Sequence, residues 1–341
     1  MKHLAALMML ALSLTAPLVA QQTTEEQSDS EEDHDKALVE KSFPARLSEN
    51  PDSNAGKEMP NIPLERRYGF LSADLKKTGH EDFLVAAYSD PWGFSGSVRV
   101  LKRSSGETVN EFASECSAGY EPKVSIINLD HSGKPGVLVE FYADRYIAID
   151  WLFKWTGTEL VPINPTNNDE GFPCTSLRDS EFIDLDGDGT IDIIDRSKPF
   201  QEDTPDNYDV YKLTGGTYKL SGTLDYFSVF PVSTSSLPAR FRIGRFIASA
   251  PKTPYILTIA NGGGEVNAPA AQSAQVFLNG EPVTMPGQIT QSTRSLKIPV
   301  TVKVHNTVNA NVSGPQDALL YIGIGPASSP ESKSAAANSK Q

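Results

Sequence analysis

The chain has 341 residues, with 43 acids against 30 bases and a formal charge of −13. That surplus argues against nucleic acid and anionic membrane as partners, because both are polyanions. Beyond the N-terminus no run approaches the roughly 18 apolar residues of a membrane-crossing helix, so the mature chain is expected not to span a membrane.

Residues 1–20 combine a short basic start (Lys2, His3), an apolar run and a small-residue end at Val19 and Ala20. This is the pattern of a secretory signal peptide, and it places the mature protein in the periplasm, at the cell surface or outside the cell. Residues 21–64 are polar, and the segment 25–35 holds seven acids and no lysine or arginine. Such a block lacks the apolar surface needed to fold alone, so it reads as a disordered acidic leader.

The strongest chemical signal is at 182–194, Phe-Ile-Asp-Leu-Asp-Gly-Asp-Gly-Thr-Ile-Asp-Ile-Ile. Its acids fall on alternate positions, and a hard dication such as Ca²⁺ takes six to eight oxygens from a loop of this kind. On that template Asp184, Asp186 and Asp188 give carboxylates and Thr190 its backbone carbonyl. Asp192 closes the ring directly or through water, and Gly189 permits the sharp turn. A second template also fits the spacing: with Ile191 in the eighth place and Asp195 in the twelfth, 184–195 reads as an EF-hand or dockerin loop. That reading requires a following helix, and the Pro- and Asp-rich segment after Arg196 shows no helical period.

Two diverged copies precede this loop, at 73–85 and 127–139. The three loops begin at Asp74, Asn128 and Asp184 and keep Gly79, Gly133 and Gly189, a period of about 55 residues that marks a propeller or repeat array. The first copy has Lys76 and Thr78 in place of acids, and the second ends on Gly136; neither is expected to hold an ion. Short β-branched and aromatic runs separated by Gly, Asn and Asp turns give four strands per repeat.

Asp-Leu-Asp-Gly-Asp-Gly-Thr-Ile-Asp followed by an apolar run resembles the VCBS/FG-GAP repeat of the integrin α-chain propeller and of many exported bacterial proteins. The resemblance implies that the loop joins the first two strands of a blade. It further implies a structural Ca²⁺ on Asp184, Asp186, Asp188, Thr190 and Asp192. Residues 65–228 would then be three four-stranded propeller-type blades. Three are too few for a closed ring, which leaves closure by a partner or an open stack.

From 238 to 326 the repeat is lost and a second β pattern begins. Strand candidates are 240–248, 255–260, 274–278, 294–298, 300–305 and 318–324, with Asn261-Gly262 and Asn279-Gly280 as hairpin turns. The run resembles an Ig-like module of exported bacterial surface proteins. Residues 327–341 read as a disordered tail. The expected fold is therefore all-β, an incomplete or open propeller followed by an Ig-like sandwich.

Cys116 and Cys174 stand 12 and 10 residues ahead of neighbouring loops. They form either one disulfide or two separate buried thiols. The sequence contains no metal-spaced histidine pair, nucleophile elbow, P-loop or dinucleotide fingerprint. Trp92, Trp151 and Trp155 serve either as core or as a sugar platform. These observations point to an exported, non-enzymatic, Ca²⁺-binding repeat protein with a binding, adhesion or scaffold role towards a protein or glycan. The alternative is a secreted hydrolase or lyase with its site at the blade mouth, which would show as close titratable groups with perturbed pKa values in a cleft.

Overall fold

Each acidic-loop copy is followed by an apolar run, and in a strand alternate residues point to opposite faces. A strand apolar at every position must therefore be covered on both sides. In the computed structural model of the chain this is how the second strand of each repeat is used. The described residues are 18–47, 62–91, 93, 95–114, 119–130, 133–144, 147–165, 177–178, 180–196, 207–232, 244–264 and 268–327.

The first sheet comprises β1 (Tyr68–Ala73), β2 (Phe83–Ser89), β3 (Gly96–Lys102) and β4 (Thr108–Ser114). The second comprises β5 (Tyr120–Asn128), β6 (Pro135–Asp144), β7 (Ile147–Trp155) and β8 (Leu160–Pro162), with β9 (Leu177–Arg178) also on β7. The third comprises β10 (Glu181–Ile183), β11 (Asp192–Arg196), β12 (Tyr208–Thr214) and β13 (Thr217–Leu224). All three are antiparallel meanders, and the acidic-loop copies join the first and second strands in each.

The sheets are stacked and share cores. Phe83, Val85 and Ala87 of β2 meet Val137, Val139 and Phe141 of β6. Leu138, on the opposite face of β6, joins Phe182 and Ile193 of the third sheet. Ile194, opposite Ile193, packs on Ala260 and Tyr321 beyond that sheet. Each such valine, leucine, isoleucine or phenylalanine contributes about 1.5–3 kcal/mol on leaving water. Close backbone approach is part of the packing: a Cβ on Gly69 of β1 would lie 1.8 Å from the Pro122 carbonyl oxygen of β5.

The remaining strands are β14 (Tyr226–Pro231), β15 (Gly244–Ile247), β16 (Tyr255–Asn261), β17 (Ser273–Leu278), β18 (Glu281–Pro282), β19 (Ile289–Thr290), β20 (Ser295–Val300), β21 (His305–Ser313) and β22 (Leu319–Pro326). They form two antiparallel sheets, β14-β22-β16-β20 and β15-β21-β17-β18 with β19 on β17. A common core that includes Leu257, Ile322, Val276 and Val308 joins the two faces.

Several expectations need correction. The acidic leader forms a helix, α1 (Leu18–Lys41), in place of disorder. Val39 and Leu47 then cover Leu84, Ala86, Tyr88 and Leu101 on the outer face of the first sheet. The acids that disfavour folding in isolation are held by the sheet: Arg103 donates to both oxygens of Asp35 at 3.0 and 2.9 Å and to Glu31 at 3.1 Å. The repeat region ends at β13, because β14 pairs with β22 of the sandwich although the repeat was expected to run to 228. The strand expected at 300–305 is largely a turn. Asn306, 3 % exposed, accepts from the Lys303 N–H and donates to the Lys303 carbonyl, which reverses the chain before β21. Residues 1–17, 48–61 and 328–341 lie outside the described residues, as do Cys116 and Cys174. Most of the expected signal peptide, nearly all of the expected tail and the expected cysteine pair are thus outside them.

The stack is open, and this chain covers both of its ends. Residues 38–47 close the outer face of the first sheet and the sandwich closes that of the third. A repeat array needs such terminal caps to bury its last apolar faces.

Candidate metal centre

The loop between β10 and β11 is shaped by its glycines. Gly187 and Gly189 take φ of +77° and +84°, in the region where a side chain is strained. Turning the chain there lets the Gly189 N–H reach Asp184 Oδ2 at 2.9 Å. The Thr190 N–H donates to Asp188 Oδ1 at 2.8 Å, and the Leu185 N–H to Asp192 Oδ2 at 3.2 Å. These bonds fold the loop over its own carboxylates. One carboxylate oxygen from each of Asp184, Asp186 and Asp188 lies within 4.8 Å of the others. Asp192 is not in that trio; its side chain is 1 % exposed at the start of β11.

Two lysines enter the site that the sequence did not mark. Lys212 Nζ, from β12, stands 2.7 Å from Asp186 Oδ2, 3.3 Å from Asp188 Oδ2 and 3.4 Å from Asp192 Oδ1. Lys297 Nζ, from β20 of the sandwich, stands 3.2 Å from Asp186 Oδ2. Both are ordinary strand lysines in sequence; the pairing of β12 with β11 brings Lys212 here, and only the stacking of sheet on sandwich brings Lys297. Ser295 Oγ of β20 also donates to the Leu185 carbonyl at 2.9 Å.

Asp184 Oδ1 and Asp186 Oδ1 are buried and accept no hydrogen bond among the described residues, and Asp192 Oδ1, also buried, has only its 3.4 Å ion pair with Lys212. A buried acceptor without a partner costs about 1–3 kcal/mol, and more when charged. The sibling oxygens are anchored, by the Gly189 N–H, by the two ammonium groups and by the Leu185 N–H. Burial pushes the Asp192 carboxyl up to about 7; Lys212 opposes the rise, and Asp186 and Asp188 add to it. Burial alone would raise Asp186 as well, but Lys212 and Lys297 outweigh it and hold that carboxylate below the usual range.

The donor set fits a hard cation. It consists of oxygens only, with one from each of Asp184, Asp186 and Asp188 close enough to share an ion. Asp184, Asp186 and Asp188 are the carboxylates placed to hold it; Asp192, expected as a further ligand, lies outside that trio, and Thr190 stands in the same turn.

The earlier copies keep the turn and lose the chemistry. Asp74 accepts from the Thr78 and Gly79 N–H groups at 2.9 and 2.6 Å, so its oxygens are engaged within its own loop. Asp82 is exposed. Lys76 lies over the Phe83 ring at 5.1 Å, rather than standing in for a cation among acids. The EF-hand reading fails because the last four places of that loop, 192–195, already belong to the strand β11, paired with β10 and β12. Asp195 in the twelfth place accepts from Ser180 Oγ at 2.8 Å. Trp151 and Trp155, 4 % and 2 % exposed, belong to the core between the first two sheets and make no sugar platform; Trp92 lies outside the described residues.

A carboxyl near 7 beside one held low is also the pattern of an acid–base pair. The cavity beside the loop, about 200 Å³, is lined by Asp184, Asn128, Asn261 and Arg294 but by neither Asp186 nor Asp192.

No family model and no curated protein matches the chain. Among solved structures it is similar to an exo-β-1,3-galactanase from Phanerochaete chrysosporium with galactotriose, at 11 % identity and TM-score 0.24, over 76 % of this chain and 68 % of that one. A fructofuranosidase from Schwanniomyces occidentalis matches at 6 % identity and TM-score 0.22, over 79 % and 72 %. The M60 catalytic domain with two CBM51 domains of Clostridium perfringens ZmpB matches at 10 % and 0.21, over 80 % and 32 %. Likenesses of this size assign neither fold nor function to the chain.

Proposed function

We propose that this chain is an exported, non-enzymatic, Ca²⁺-binding repeat protein of VCBS/FG-GAP type. In this reading its stacked sheets and Ig-like sandwich form a scaffold that engages a protein or glycan outside the cytoplasm. The observation that carries the reading is the convergence of one oxygen each from Asp184, Asp186 and Asp188 to within 4.8 Å, with Asp184 Oδ1 and Asp186 Oδ1 buried and without a hydrogen bond. A dication there would relieve both of those acceptors and brace the β10–β11 hairpin. A substrate-handling role for the Asp186–Asp192 pair is disfavoured, because Asp192 is 1 % exposed and lines no part of the neighbouring cavity. Extracellular modules bind Ca²⁺ with Kd of roughly 10⁻⁴–10⁻³ M. At a hundredfold excess over Kd, binding to the folded state adds about 2.7 kcal/mol by mass action.

The test is calorimetric titration with Ca²⁺ alongside thermal melting in Ca²⁺ and in EDTA. Ca²⁺ should raise the melting temperature and Asp186→Ala should abolish the response, while Lys76→Ala and Ser132→Ala keep it. A wild-type melting curve that Ca²⁺ leaves unmoved would sink the reading.

A further inference from the structure

The three buried oxygens without a hydrogen bond share one arrangement, although Asp192 Oδ1 also faces Lys212 at 3.4 Å: each belongs to a carboxylate whose other oxygen is tied down. For Asp184 and Asp192 the tie is a backbone N–H of the same loop, from Gly189 and Leu185. For Asp186 the ties are Lys212 at 2.7 Å and Lys297 at 3.2 Å, and Lys297 belongs to the sandwich. The loop backbone is also held from the sandwich, by Ser295 Oγ on the Leu185 carbonyl. Gly187 lies so close to β20 that a Cβ there would sit 2.8 Å from Ser295 Cβ. The acidic loop is thus wedged between the third sheet and β20, and the orientation of one of its carboxylates is set from across that junction.

We infer that Lys297 is a positioning residue of the metal centre, so that cation binding and the seating of the sandwich on the sheet stack reinforce each other. The inference rests on the Ca²⁺ reading above and adds a second module to the site. Groups that orient a ligand's outer oxygen change metal affinity even though they never touch the ion. By linkage the effect is reciprocal: whatever Lys297 adds to cation binding, the bound cation adds to the hold of Lys297 on the loop. The centre then acts as a clasp, firm in a Ca²⁺-rich medium and loose in a Ca²⁺-poor one.

The alternative electrostatic outcome has the opposite sign. Were Lys297 a competitor for the acids, removing its charge would tighten Ca²⁺ binding, because like charges a few ångströms apart repel. The experiment therefore compares Ca²⁺ affinity in the wild type, Lys297→Met, Lys297→Arg and Ser295→Ala by calorimetry on the full mature chain. Mass spectrometry then follows the labelling of Lys297 by an amine-reactive ester in Ca²⁺ and in EDTA, with Lys252 as reference. Since Lys297 is 54 % exposed, the expected loss in Lys297→Met is at the low end of such effects, about tenfold. Lys297→Arg should restore most of the affinity, Ser295→Ala should weaken binding, and Ca²⁺ should slow the labelling of Lys297 relative to Lys252. If Lys297→Met binds Ca²⁺ as tightly as the wild type or more tightly, or if Ca²⁺ speeds the labelling, the clasp is wrong while the metal centre stands. No Ca²⁺ binding by the wild type would overturn both.

Discussion

The N-terminal cap offers the sharpest stability test, because sequence composition alone argues against it. Leu47 is 2 % exposed and packs with Val39 on Leu84, Ala86, Tyr88 and Leu101. Its carbonyl accepts from the Arg67 guanidinium, which fixes the chain as it leaves the helix. Leu47→Ala removes a buried side chain from a site walled by a rigid sheet, where such changes cost about 2–5 kcal/mol. Taking about 3 kcal/mol and 2–4 °C per kcal/mol for a chain of this order, melting should fall by roughly 6–12 °C. In a stacked array each unit contacts only its neighbours, so the loss should be local. Amide exchange in β1–β4 should accelerate by about two orders of magnitude, while β10–β13 stays nearly unchanged. Leu64→Ala, on a side chain 48 % exposed, is the control and should cost at most about 0.5 kcal/mol. A Leu47→Ala melting curve that overlays the control, or protection lost equally from the first and third sheets, would show that residues 38–47 do not cap the stack.

Two further outcomes follow from the fold. Gly69→Ala places a Cβ 1.8 Å from the Pro122 carbonyl oxygen, a backbone clash that no rotamer relieves, so the variant should lose soluble folded protein on expression; a wild-type yield and melting temperature would contradict the β1–β5 approach. Glu181 is held above the usual carboxylate range by burial and, secondarily, by Glu140. The folded state therefore keeps the proton that the unfolded state releases, and stability should fall as pH rises from about 4 through the raised value. Melting temperature against pH should show that slope in the wild type and a flatter one in Glu181→Gln.

The sheets were legible because their signals are local. Alternating or fully apolar runs between Gly and Asp turns placed β10 to β12 within one or two residues, though β13 runs four residues past the expected 218–220, and the hairpin position of the acidic loop followed from the strands around it. What could not be read depended on residues distant in sequence. Asp35 lies 68 residues from Arg103, and nothing near either predicts their bidentate pair, so the acids of α1 looked unfoldable. Lys297 lies 111 residues from Asp186 and is one surface base among many until β20 is laid against the loop. The β14 boundary was missed for a related reason: Tyr226–Pro231 has strand propensity in either module, and only its pairing with β22 assigns it.

Why one loop of three keeps the acids has a physical answer in the packing around each copy. All three retain the turn glycine with positive φ, at +84°, +70° and +84° for Gly79, Gly133 and Gly189, so the hairpin itself does not require an ion. In the first copy the N–H of Gly79 and its neighbour engage Asp74, which is the same bond that Gly189 makes to Asp184. That contact serves the turn, and its survival explains why Asp74 persists beside Lys76 and Thr78. In the second copy the place of Asp192 is held by Gly136, where a Cβ would stand 2.6 Å from Leu129 Cγ. A carboxylate there would have to displace the leucine that fills the core between the second and third sheets. The third copy alone has the sandwich beside it, with Lys297 and Ser295 adding to Lys212 of its own sheet to balance and hold the acids. The acid-rich loop is thus found where its charge is compensated from its own sheet and from the next module, and where a bound cation would stiffen the junction between two modules rather than a turn within one.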